Sequence, residues 1–181
     1  GGNVALTFAE RHPAHVAAVG VYESPLSFEP WWQGTTARQV TSDPGLSTAD
    51  AAEQFMRRFV GDARWDSLPE RTRATRRAEG AALVGELADL RANRPWHADA
   101  ITMPVVVGCG TKGAQHHQDG MRRLVSMLPD ARLVVLEGSR HDVPNSDAAT
   151  FSAEFVVPIS IFTKPSGLIL GVTVRFTPTS S

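Results

Sequence analysis

The chain of 181 residues has one cysteine and one tyrosine. A lone thiol excludes an intrachain disulfide framework and any Cys-rich zinc or iron–sulfur centre. Neither charge is in excess: 18 Lys and Arg stand against 19 Asp and Glu, a formal net charge of −1. No positive field exists to recruit nucleic acid or an anionic lipid surface. The longest apolar run falls far short of the roughly 20 residues that span a bilayer. Internal repeats and low-complexity tracts are absent. The first residues, Gly1-Gly2-Asn3, carry no initiator Met, no basic region and no apolar leader, so the chain reads as cut rather than started. What is present, 42% hydrophobic and 20% charged residues, suits an ordinary globular domain and not disorder. A cytoplasmic protein is the default expectation.

Three short apolar runs have strand length and β-branched content: Val16 to Tyr22, Val105 to Gly110 and Leu133 to Leu136. Buried parallel strands have this character, because both faces of their sheet are covered. Around them, apolar residues recur at helical spacing. Ala5, Phe8 and Ala9 give one apolar face to a short helix that Pro13 stops. Ala51, Phe55, Met56 and Phe59 do the same over 50–60, with Ser47 or Thr48 as cap and Gly61 as stop. A second helical stretch spans 70–93 and opens on Arg71, Arg73, Arg76 and Arg77. Acidic residues balance these arginines, so a solvated helix face is expected rather than a phosphate site. Met121, Leu124, Val125 and Leu128 mark a helix over 115–128, and a last helix starts near Asp147. Strands alternating with helices predict an α/β fold with a parallel sheet.

Three features then stand in a telling order. Gly1-Gly2-Asn3-Val4-Ala5-Leu6 opens a helix; Glu23 closes the first strand in Val21-Tyr22-Glu23-Ser24-Pro25; Gly138-Ser139-Arg140-His141 forms the loop after the last strand. Together they resemble the C-terminal two-thirds of an α/β-hydrolase, over residues 1–155. In that family's nucleophile elbow, G-x-S-x-G-G, a serine sits on a strained strand-to-helix turn. The resemblance implies that this serine lies two residues before Gly1, with the N–H that forms half of the oxyanion hole between them. It implies that His141 is the general base, with Arg140 replacing the usual small residue before it. The family's common acid position, the turn 108–113, reads Gly-Cys-Gly-Thr-Lys-Gly and holds no carboxylate. Haloalkane-dehalogenase-like members carry the acid at the end of the preceding strand, which here is Glu23. Asp142 and Asp119 are weaker candidates.

The implied architecture is an incomplete α/β-hydrolase fold, a parallel sheet fragment with a helical cap insertion. Its core comprises 1–25 and 99–155, its cap 26–98. The tail 156–181 has no family counterpart and reads as a β-hairpin around Lys164-Pro165-Ser166-Gly167. Phe28, Trp31 and Trp32 follow the acid directly, so they are expected to wall a pocket for a small apolar substrate, or to pack the cap. The expected activity is hydrolysis of a small apolar ester or related acyl substrate, silent in this chain because the nucleophile is absent. With Asp at the elbow, the same frame would serve haloalkane or epoxide hydrolysis. The alternative is a non-catalytic ligand-binding or interaction module on a degenerate hydrolase fold.

No cofactor and no metal are expected. Cys109 has no charged sequence neighbour to lower its pKa and reads as a small core residue. His116-His117 and His12-x-x-His15 lack a third ligand at regular spacing. Gly108-x-Gly110-x-x-Gly113 mimics a dinucleotide fingerprint without its acidic partner; Glu137, near the right distance, ends in the histidine loop. Only three family-like strands are legible. The sheet edge beside the first is therefore expected to be bare, and the chain marginal or homo-oligomeric.

Overall fold

The computed structural model describes residues 1–32, 43, 45–156 and the backbone of Leu168–Gly171. In chain order the elements are α1 (Gly2–Arg11), β1 (Val16–Tyr22), α2 (Thr48–Val60), α3 (Asp62–Asp66), α4 (Glu70–Ala78), α5 (Gly80–Ala92), β2 (Val105–Gly110), α6 (Gln115–Met127), β3 (Ala131–Leu136), α7 (Val143–Ser146), α8 (Ala148–Phe151) and β4 (Leu168–Gly171). A π-helical turn, Ser152–Val156, continues α8. Two compact units result: Gly1–Pro25 with Pro95–Ser181, and Leu26–Arg94.

The first unit is built on a parallel sheet of order β3-β2-β1-β4. Val19 lies opposite Val105, and Val105 opposite Ala131. Apolar residues fill both central strands because both faces are covered. On one face Ala18, Val106 and Leu136 meet Val143, Phe151 and Phe155, with Tyr22 and Val134 packed against them. Each such Val, Leu or Phe contributes about 1.5–3 kcal/mol by leaving water. Val21 points to the other face by strand alternation, and there the start of α1 lies against it. Helix α6 packs on β2 and β3. Asn3 ties α1 to its surroundings by donating to the Pro25 carbonyl (2.8 Å) and accepting from Trp96 Nε1 (2.9 Å).

Three expectations change here. The buried face of α1 is Ala5, Leu6 and Ala9, and Phe8 is 38% exposed. Phe8 instead lies against His12, ring centroids 4.6 Å apart. The edge beside β1 is not bare, because β4 pairs with it in parallel, Val16 opposite Leu168 and Gly20 opposite Gly171. Val156, expected to open a strand, ends the π-helical turn. The expected hairpin turn at 164–167 lies outside the described residues, as do the other residues of 157–167 and 172–181.

The second unit is helical. Ser47 caps α2 by accepting from the Asp50 N–H (3.1 Å), and Gly61 ends it at φ 88°. The stretch 70–93 is two helices rather than one, broken at Glu79. A Cβ on Gly80 would stand 2.1 Å from the Thr48 carbonyl oxygen, so only glycine lets α5 begin against the start of α2. The arginines are not simply solvated. Arg77 pairs with Asp50 (2.8 Å) and Glu53; Arg57 pairs with Glu53 (2.8 Å), Asp62 (3.2 Å) and Asp66 (2.9 Å). These bonds hold the Asp50 and Glu53 carboxyls below their ordinary range, Asp50 chiefly through Ser47 and Glu53 chiefly through Arg57. Among the described residues no helix is long and apolar enough to cross a membrane.

Candidate active site

Glu23 is the first residue past β1, and its backbone is unusual. Its φ of 46° is left-handed, a conformation that costs a residue with a Cβ about 1–2 kcal/mol. Its N–H donates to the Gly108 carbonyl (2.9 Å), so the turn stays tied to β2. Such an outlier persists only where its surroundings enforce it, and these cluster at functional sites. The side chain is fully buried, yet both carboxylate oxygens have donors. Oε1 accepts from the Gly110 N–H at 2.9 Å. Oε2 lies 2.9 Å from His141 Nδ1. Paired in this way, a buried charge recovers the hydration it loses.

Glycines at the end of β2 and in the turn after it permit this arrangement. A Cβ on Gly113 would stand 2.2 Å from Glu23 Oε1, and one on Gly110 2.2 Å from the Ser139 carbonyl oxygen. The spacing that mimics a dinucleotide fingerprint is thus a close approach of backbone to a carboxylate and to the histidine loop. That loop is fastened to the turn beside it. Lys112 N–H donates to Ser139 O (2.9 Å), Gly138 N–H to Thr111 Oγ1 (2.8 Å), and Thr111 Oγ1 to Glu137 (3.1 Å). Tyr22 Oη donates to the Arg140 carbonyl (3.1 Å), one residue before His141. Burial, then the charge of Glu23, raises the Tyr22 phenol, so it remains a donor.

His141 therefore meets Glu23 across 118 positions of sequence. Because a carboxylate only accepts, the hydrogen between them belongs to Nδ1, and Nε2 is left as the basic atom. His141 is 44% exposed at its side chain, whereas Glu23 is wholly enclosed. This is the geometry of an oriented general base. Asp119 engages Arg122 (3.2 Å), and Asp142 precedes the short helix α7. Cys109 is buried, and desolvation raises its thiol.

His117, weighed in the sequence only as a metal ligand, stands beside this pair. It lies in the first turn of α6, with its ring 5.2 Å from that of His141 and 22° from parallel. Glu23, His117 and His141 each offer a ligand atom within 4.8 Å of the others. Imidazole lone pairs lie in the ring plane, and planes this close to parallel do not meet between the rings. One ring must turn before both nitrogens reach the same ion. Spacing in the chain could not reveal this triangle, since its members come from β1, α6 and the last loop.

Phe28, Trp31 and Trp32 belong to the other unit. Arg94 lies over the Phe28 ring at 5.0 Å and bonds Glu29 at 3.0 Å. Trp31 is 41% exposed and Trp32 buried, their rings 5.6 Å apart.

No protein-family model matches the chain, and no curated protein does. Solved structures do. An α/β hydrolase from a Medee basin deep-sea metagenome superposes with a TM-score of 0.57 at 15% identity, over 91% of this chain and 63% of that one. An ancestral haloalkane dehalogenase gives 0.54 at 22%, over 88% and 64%. An esterase from Thermogutta terrifontis gives 0.54 at 17%, over 90% and 62%. The chain has the α/β-hydrolase fold, in an incomplete form. It spans less than two-thirds of the length of each of these structures.

Proposed function

We propose that the chain is the acid–base portion of a serine-type α/β-hydrolase that cleaves a small apolar ester or a related acyl substrate. One observation carries this reading: the bond of 2.9 Å between His141 Nδ1 and the buried carboxylate of Glu23. With Nδ1–H held by Glu23, Nε2 of His141 takes the proton of an attacking hydroxyl and returns it to the leaving group. Glu23 fixes the tautomer and stabilises the imidazolium. The nucleophile is a serine two residues before Gly1, supplied by the elbow motif whose tail is Gly1-Gly2-Asn3. Residues 26–98 serve as the cap, with Phe28, Trp31 and Trp32 the candidates for apolar contact with the substrate. An aspartate at the elbow is the second reading. It is favoured by the position of Glu23, at the end of the first strand rather than in the 108–113 turn, and leads to carbon–halogen or epoxide hydrolysis.

On this reading the 181 residues alone turn over no ester, since base and acid have nothing to activate. The test extends the chain upstream and reads the residue two positions before Gly1. Serine there, with p-nitrophenyl ester hydrolysis that falls on the order of 10⁶ in kcat when His141 becomes Ala, is the expected result. A residue other than Ser, Asp or Cys ends the hydrolase reading. Ester turnover by the 181 residues alone, lost in His141→Ala, overturns the dependence on an upstream nucleophile. Binding of apolar esters with equal affinity in wild type and His141→Ala, and without turnover, points to a binding module instead.

A further inference from the structure

We propose that Glu23, His117 and His141 form a binding site for a zinc-class divalent ion, and that an ion held there switches His141 off as a base. The site itself rests on geometry; its effect on catalysis rests on the reading given above.

The three side chains arrive from the end of β1, the first turn of α6 and the last loop, all within the first unit. Among the described residues they are the one set of three His, Cys, Asp or Glu whose ligand atoms lie within 4.8 Å of one another. A tetrahedral zinc ion, with bonds of about 2.0 Å, spaces its ligands about 3.3 Å apart, so the triangle has to close by no more than about 1.5 Å. One side of it is near that spacing already. Glu23 Oε2 lies 2.9 Å from His141 Nδ1, with a hydrogen between them. The ion takes that hydrogen's place, with the Nδ1 lone pair on one side and Oε2 on the other. His117 supplies the ring that turns, because His141 Nδ1 already aims at Glu23. Before it turns, its face lies along that of His141, centroids 5.2 Å apart and 22° from parallel.

Two imidazoles and one carboxylate are the donor set of open zinc sites, in which water takes the fourth position. His141 supplies the opening, since its side chain is 44% exposed. Imidazole donors favour zinc and its neighbours over magnesium and calcium, which prefer oxygen. The ligating carboxylate is held from behind, as such sites require: Oε1 of Glu23 accepts from the Gly110 N–H at 2.9 Å and leaves Oε2 for the ion. The effect on the base follows from proton balance. A neutral imidazole carries one N–H. When the ion bonds to Nδ1, the proton that leaves Nδ1 is taken up through water at Nε2, and the ring stays neutral. Nε2, the atom that must receive the proton of the nucleophile, is then a donor. The ion thus fixes the tautomer opposite to the one that Glu23 fixes alone.

The test titrates the 181-residue chain with Zn²⁺ and reads the histidine rings by NMR. One ion per chain is expected to shift His117 and His141 together and to move the His141 ring proton from Nδ1 to Nε2, with no response to Mg²⁺. His117→Ala and Glu23→Gln are each expected to weaken Zn²⁺ binding at least about tenfold, as loss of even an outer partner does. His15→Ala is expected to leave it unchanged. Shifts confined to His12, His15 or His116, equal Zn²⁺ affinity in wild type and His117→Ala, or an equal response to Mg²⁺ overturns the site. Where a variant does not fold, the wild-type titration decides, because it reports which rings the ion reaches. Zn²⁺ on both rings with the proton still on Nδ1 overturns the switch. In the chain extended upstream, Zn²⁺ at about ten times its Kd is expected to lower ester turnover about tenfold, to the fraction it leaves unbound, and EDTA to restore it. Turnover that Zn²⁺ does not lower overturns the switch as well. No turnover before Zn²⁺ is added, with the ring shifts intact, counts against the hydrolase reading and leaves the ion site standing.

Discussion

A single carboxylate is where local conformational rules are broken, and where the chemistry gathers. Glu23 accepts strain in its backbone and full burial of its charge, and two glycines near it, Gly110 and Gly113, leave no room for a Cβ. The nature of each clash predicts different outcomes. An alanine at Gly113 meets the end of a flexible side chain, so Glu23 swings away. Gly113→Ala is expected to lose the His141–Glu23 bond at a cost of about 1–3 kcal/mol, that of the buried Gly110 N–H left without its acceptor. An alanine at Gly110 meets backbone, which cannot give way, and is expected to destabilise the first unit by more. Denaturant unfolding of both variants, with the NMR signal of His141 Nδ1, separates them; equal losses of stability would contradict the assignment. The family resemblance points to Glu23 and His141 at a strand end and in the last loop, and the two side chains do meet. The place of His117 is not legible, because nothing in a chain-order reading says that the first turn of one helix comes near a carboxylate that precedes it by about 90 residues.

At the level of elements, the sheet strands were the easiest to read, since continuous apolar runs have few other uses. Helical stretches were less so where tertiary contact overrode propensity. The break between α4 and α5 has no proline to announce it. It exists because Gly80 must lie on the Thr48 carbonyl, a fact of packing. Periodicity points Phe8 inward, but Leu6 takes the buried place. These contacts yield a matched pair of variants. Gly85 has open space around its Cβ position within α5, so Gly85→Ala is expected to raise stability by about 0.5–1 kcal/mol through helix propensity. Gly80→Ala in the same helix is expected to lower it and to weaken the Arg77–Asp50 pair, since both reach the start of α2. Thermal unfolding of the two variants distinguishes a packing glycine from an incidental one. Stabilisation by both would mean that α5 does not depend on close approach to Thr48.

Across the whole molecule, the histidines make stability depend on acidity in a definite direction. The ordinary imidazole titrates near 6.5, and His117 in the folded chain near 4. Between these values the unfolded chain binds the proton and the folded chain does not, so stability falls as pH drops from about 6.5 toward 4. His116, also lowered, acts in the same sense. Urea midpoints measured over this interval are expected to decline in the wild type and to decline less in His117→Phe; parallel curves would refute the buried neutral ring. The sheet has a kinetic consequence as well. All of its strand pairs are parallel, but they differ greatly in the length of chain that must close. Val105 finds Ala131 after one helix, Val19 finds Val105 only across the whole helical unit, and Val16 finds Leu168 from nearly the other end of the polymer. Loop-closure entropy rises with each step, and pairing between distant partners slows folding. The β2–α6–β3 segment is thus the nucleus that local closure favours, and Glu23 acquires its environment only when β1 docks onto it. The acid is assembled late, on a template that already holds Gly110 in place.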